Sequence, residues 1–169
     1  VTYTNNVSQC GTINENTVLY NNVSSNGIDC YTIAASNVIL DCQNYFINNI
    51  GDRSTANGIL ATSVTNLTIK NCKINQFHYG INLNQVSNSF IQNTVLDGNI
   101  QSGIYFTGSS GNYLSNITTQ NIANSQLIGL YLTSASSNNV ISNLLVNGIA
   151  AAGYGLYISS DSSNNSLGS

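Results

Sequence analysis

The chain has 169 residues, enough for one domain, and only 5% of them are charged, three Lys or Arg against six Asp or Glu. This excludes a basic face for nucleic acid, which needs clustered Lys and Arg, and the net charge of −3 gives any partner little electrostatic steering. Asn supplies 30 residues and Ser 23, a bias that means disorder in apolar-poor chains, but apolar residues reach 41% here and recur in short runs, so a core is available.

No run approaches the length of a membrane-spanning helix, so no membrane insertion is expected. The chain begins at Val1 and contains no Met, which reads as a mature secreted protein after removal of a signal peptide. Four Cys, an even number, fit an oxidising compartment. A cytosolic protein or trimmed chain with free thiols is the alternative.

Residues 1–26 read as an N-terminal cap, with alternation in Thr17-Val18-Leu19-Tyr20. Repeats then occupy residues 27–169. Gly followed by Ile or Leu recurs at Gly27, Gly58, Gly80, Gly103, Gly129 and Gly155, at intervals of 31, 22, 23, 26 and 26. Each pair leads into an Asn-rich corner and a short alternating run, as in Asn66-Leu67-Thr68-Ile69-Lys70-Asn71 and Asn88-Ser89-Phe90-Ile91-Gln92-Asn93. The period of two defines half-buried strands. Such a repeat cannot bury its apolar face alone and must stack on its neighbours. The dense Leu consensus of leucine-rich repeats is missing. The expected fold is all-β, a right-handed parallel β-helix of about six coils.

Aligning the repeats gives columns. Ile69, Ile91, Leu114 and Ile141 form one inward column, and Ile74, Leu96, Thr119 and Val146 a second. Cys30, Ala61, Leu83, Phe106, Leu132 and Ile158 form a third. Asn71, Asn93, Asn116 and Asn143 align as an amide ladder, read as inward at Asn116. Asn37, Asn66, Asn88, Asn138 and Asn164, with Gly111, mark a second corner. Asn suits such corners because it tolerates left-handed backbone.

These repeats resemble the parallel β-helix proteins of the pectate-lyase-like superfamily, and look closest to secreted surface proteins with the copper-maturation type of repeat. The resemblance covers residues 27–169, and Cys10-Gly11-Thr12-Ile13 with Gly27-Ile28-Asp29-Cys30 look like the start of such a domain. It implies the fold and no single function, since this fold hosts lyases, hydrolases, adhesins and inert stalks. Lyases of the superfamily hold calcium on carboxylates beside a basic residue, and its hydrolases use close carboxylates. No two carboxylates here share a face one coil apart. Asp41 aligns with Lys70, both expected outward. Asp97 joins the polar column of Asn48, Asn75, Gln120 and Asn147, Asp52 and Arg53 share a corner loop, Glu15 lies in the cap and Asp161 in the last corner. His78 has no metal-site partners in sequence. Recurring calcium nonapeptides are missing too. No catalytic residue, cofactor or metal is expected.

Tyr105, Tyr131 and Tyr157 each follow a Gly-Ile or Gly-Leu pair by one residue, so all three point outward on consecutive coils. Rings spaced by one strand separation either stabilise the sheet or bind a sugar ring or a neighbouring subunit. Cys42 and Cys72 fall on adjacent coils, one residue out of register, and pairing Cys10 of the cap with Cys30 of the first coil would pin the cap to the solenoid. Of the three connectivities, Cys10–Cys30 with Cys42–Cys72 is favoured. Glycosylation sequons occur at Asn6, Asn22, Asn66, Asn116 and Asn164, no more than composition produces by chance. Asn6, Asn22, Asn66 and Asn164 are the candidates for modification, while Asn116 is expected to stay bare.

The expected function is that of a secreted, extracellular or cell-surface structural protein. The last coil stops before it closes, without a cap, so head-to-tail self-association into a filament is expected. A segment of a longer β-helix is the alternative reading of that end. A carbohydrate-binding or carbohydrate-acting module is the alternative function, using the Tyr column or a variable corner over residues 51–57, 97–102, 121–128 and 148–154.

Overall fold

The computed structural model describes residues 1–122, 128–149 and 153–168. Residues 123–127 and 150–152 of the variable corner lie outside the described residues. A short first turn holds β1 (Asn5–Val7) and β2 (Gly11–Ile13). Six coils follow. The first carries β3 (Thr17–Leu19), β4 (Val23–Ser25) and β5 (Tyr31–Ile33), the second β6 (Ile39–Asp41), β7 (Phe46–Asn49) and β8 (Asn57–Thr62). The third carries β9 (Thr68–Lys70), β10 (Lys73–Asn75) and β11 (Tyr79–Asn84). The fourth has β12 (Phe90–Asp97) and β13 (Ser102–Thr107), the fifth β14 (Tyr113–Ile122) and β15 (Ile128–Thr133). The sixth has β16 (Val140–Ile149) and β17 (Tyr154–Ile158), and β18 (Ser166–Gly168) leads on from it.

Every strand pairs in parallel with its counterpart one coil away, giving one sheet from β1 to β18 and a second from β2 to β17. This is a parallel β-solenoid. The segment expected as a cap is itself wound into it. β1 pairs with β3, β2 with β5, β3 with β6 and β4 with β7. Its four strands are three residues long and none carries the Gly-Ile pair that marks later coils.

Ile69, Ile91, Leu114 and Ile141 stack in register, preceded by Leu40, and all five are buried. Ile74, Leu96, Thr119 and Val146 form the second column. The third column begins at Ile13, which pairs with Ile33, and Ile33 pairs with Ala61, so it excludes Cys30. Tyr31 therefore occupies the place of Ile59, while Ile28 is exposed. Gly27 lies in a turn with φ 78°, so the first Gly-Ile pair is out of phase with the rest.

The later Gly-Ile and Gly-Leu pairs have a packing cause. A Cβ on Gly80 would lie 2.7 Å from the Gly103 carbonyl oxygen, and one on Gly103 equally close to that of Gly129. No side chain fits between coils there.

At Asn71, Asn93, Asn116 and Asn143 the backbone turns left-handed, with φ of 50–55°. In the last three coils this bends one continuous strand, where earlier coils have two. Each Nδ2 donates to the Oδ1 one coil back: Asn93 to Asn71 at 3.3 Å, Asn116 to Asn93 and Asn143 to Asn116 at 3.0 Å. This ladder stands at the outside of the bend. Asn116 is exposed, contrary to the inward expectation. The inward polar ladder is made instead by Ser89, Asn112, Asn139 and Asn165, which bond the backbone of neighbouring coils.

Candidate functional site

The outward face of the β2–β17 sheet concentrates aromatic side chains. Alternation along each strand turns one residue outward between two inward ones. Tyr105, Tyr131 and Tyr157 therefore follow one another in register. Coil spacing of about 4.8 Å sets their separation, and the ring centroids lie 5.2 Å apart at both steps, tilted by 57° and 53°.

Two further rings join this column. Tyr79 belongs to the adjacent register line with Ser102, Ile128 and Tyr154. The small Ser102 one coil on lets the Tyr79 ring lean across, and it stacks on Tyr105 at 4.6 Å and 9°. Tyr154 lies 5.1 Å from Tyr157. Both precede the Gly of a Gly-Ile or Gly-Leu pair, a sequence signal that could have found them. Burial, then the neighbouring Tyr105 and Tyr131 hydroxyls, raise the pKa of Tyr79. His78 meets Tyr79 edge-on at 4.5 Å. Its Nδ1 is buried without a partner among the described residues, and burial lowers its pKa against a smaller opposing contribution from Arg53. Exposure grows along the column to 38% at Tyr157 and 54% at Tyr154.

The charged groups do not converge on this face. Asp41 pairs in register with Lys70, and Lys70 Nζ lies 3.3 Å from Asp41 Oδ2. Asp41 is not the solvated outward group expected, since only 3% of it is exposed. The hydroxyl of Tyr3 donates to its Oδ2 at 2.8 Å, and Asn71 Nδ2 and the Gln43 N–H donate to Oδ1 at 2.9 and 3.0 Å. Burial pushes the carboxyl up, but these hydrogen bonds and Lys70 together hold it below its ordinary value. The Tyr3 hydroxyl bond is the main cause that raises Lys70.

Asp97 lies in register with Asn75 and Gln120, and accepts from Gln120 at 3.2 Å and Asn121 at 2.8 Å. Arg53 donates to Gln76 and to the Gly98 carbonyl. Among the described residues no group of three His, Cys, Asp or Glu is placed to hold a metal ion. The candidate glycosylation residues Asn6, Asn22, Asn66 and Asn164 are all exposed, as is Asn116. Cys10 bonds Cys30 and Cys42 bonds Cys72, with Cα separations of 4.5 and 4.8 Å.

Residues 36–169 match the family described as right handed beta helix region. No curated protein and no solved structure matches the chain. The family is defined by its coil, which hosts many chemistries and assigns none by itself. By this match, over most of its length, the chain belongs to the right-handed β-helix family.

Proposed function

We propose that this chain is a non-catalytic structural protein of an extracellular or cell-surface assembly, whose copies associate end to end. The observation that carries the reading is the direction of its polar side chains. They bond to one another along the solenoid axis. The outer amide ladder joins Asn71 to Asn143 through Asn93 and Asn116. In the inner one Asn112 Nδ2 donates to Asn139 Oδ1 and Asn139 Nδ2 to Asn165 Oδ1, while the same oxygens accept main-chain N–H groups one coil back. Such links stiffen a rod. The two disulfides favour an oxidising exterior.

Among the described residues β17 and β18 are each paired on one edge. Beside them Leu144, Val146, Leu156 and Leu167 line an open cavity of about 660 Å³. β1 and β2 offer the matching edges at the other end. A second copy in parallel register would extend both sheets, and a heterologous contact propagates as a filament unless it closes into a ring. Electron microscopy and light scattering of the purified chain test this. Filaments or rings are expected, with monomers from Leu167→Glu. A monodisperse monomer at high concentration overturns end-to-end association.

Carbohydrate recognition is the second reading, favoured by the partly exposed Tyr105, Tyr131 and Tyr157 rings. Retention on a polysaccharide panel that is lost in Tyr131→Ala supports it.

A further inference from the structure

The tyrosine column is also a redox-reactive array. Ten Tyr are the dominant oxidisable side chains of a chain without Met or Trp, and all four Cys are held in disulfides. Five of those ten form one unbroken run of ring contacts: Tyr79, Tyr105, Tyr131, Tyr157 and Tyr154. Tyr157 stands where contact and access coincide. It has ring neighbours on two sides, Tyr131 at 5.2 Å and Tyr154 at 5.1 Å, and both it and Tyr154 are open to solvent. Tyr20 is more exposed than Tyr157 but has no aromatic contact among the described residues, and the ring neighbour of Tyr113 is Phe90.

We propose that Tyr157 is a site of oxidative covalent cross-linking, coupling through its ring carbon to Tyr154 or Tyr131 of the same chain. The co-reactant is a peroxide acting through a one-electron oxidant of the haem-peroxidase class. Two phenols each give up one electron and the phenolic proton, forming two phenoxyl radicals. The radicals join at ring carbons ortho to oxygen, making one C–C bond. Each of those carbons then loses its hydrogen, which returns to the phenol oxygen as the ring regains aromaticity. Overall, two hydrogens leave the protein and one hydrogen peroxide becomes two waters. The Tyr79 and Tyr105 rings meet face to face. Tyr105 and Tyr131 share the distance and nearly the tilt of the Tyr131–Tyr157 pair, and what sets Tyr157 apart from them is its exposure beside a second exposed ring, Tyr154. A bond to Tyr131 would join the fifth coil to the sixth. This goes beyond end-to-end association, which would place the next copy along the free edge of β17, so the reaction is read on the unassociated chain.

The test is treatment of the dilute, disulfide-intact protein with a haem peroxidase and hydrogen peroxide. The expected product is a monomer lighter by two hydrogens, with dityrosine fluorescence and a peptide map linking Tyr157 to Tyr154 or Tyr131. Tyr157→Phe is expected to abolish it, while Tyr20→Phe and Tyr113→Phe leave the yield unchanged. A link through Tyr20 or Tyr113, an undiminished yield in a folded Tyr157→Phe protein, or a product made only between chains overturns the proposal. Should Tyr157→Phe fail to fold, the map of the unaltered protein still decides. Filament formation is read separately by microscopy, so either idea fails without the other.

Discussion

Asn139 lies one coil above Asn112 inside the solenoid, and its Oδ1 accepts from both the main-chain N–H and Nδ2 of Asn112, at 2.9 and 3.0 Å. Both residues are buried. The Asn139 amide donates in turn to the Ser109 carbonyl at 2.9 Å, and its N–H to Asn165 Oδ1 at 2.9 Å. One side chain thus pairs two backbone groups of the corner, the Asn112 N–H and the Ser109 carbonyl. Asn139→Ala leaves the Asn112 main-chain N–H and the Ser109 carbonyl without partners, each costing about 1–3 kcal/mol, while Asn112 Nδ2 keeps its bond to the Val86 carbonyl. A loss of several kcal/mol in urea-unfolding stability is expected. A change within experimental error would mean that water replaces the amide.

Gly80→Ala places a Cβ 2.7 Å from the Gly103 carbonyl oxygen and against Leu96 and Asn99. The coils must separate locally, and a cost of about 2 kcal/mol or more is expected. Gly11→Ala is the internal control, because nothing lies within 4 Å of its added Cβ. Thermal melting of the two variants side by side checks the contrast.

The Asp41 clasp makes stability depend on acid. Its carboxyl is lowered in the folded state from an ordinary value of 3.8. A depressed carboxylate contributes stability that is fully present above the unfolded value and lost as pH falls through the folded one. Chemical denaturation between pH 7 and pH 2 should therefore show a decline that begins as pH approaches 3.8. In Asp41→Asn the protein should be less stable at pH 7 and that part of the decline should flatten. An unchanged profile would assign the acid response to other carboxylates.

The two disulfides should differ in accessibility. Cys42 and Cys72 are buried, whereas Cys10 is half-buried beside the short first turn. Mild reductant is expected to open Cys10–Cys30 first, followed by alkylation and peptide mapping. Replacing Cys42 and Cys72 together by Ser should cost about 3.6 kcal/mol, since the bond closes a loop of 30 residues.

Much of the solenoid could be read along the chain. Alternation of inward and outward residues is a local property of an extended strand. From Gly80 to Gly155 the regular Gly-Ile and Gly-Leu pairs keep it in phase, so Tyr105, Tyr131 and Tyr157 could be aligned from sequence. The phase is lost where the chain leaves a strand. Gly27 turns with positive φ, which shifts the register by several residues and puts Ile33 in the place read for Cys30.

The sequence by itself determined the coil and the approximate position of its corners, because period and turn chemistry act over a few residues. Only the tertiary structure decided which corner amides enter the core. Asn112 and Asn116 are the same residue type four positions apart, yet one is buried and the other exposed. Their fates depend on how a left-handed bend stacks on the coil below. The same holds for Asp41, buried by Tyr3 from 38 residues away, and for the Tyr79 ring, which leans across a register line towards Tyr105. Those contacts join residues on separate coils, and no local pattern encodes the direction in which a side chain leans once its neighbours are packed.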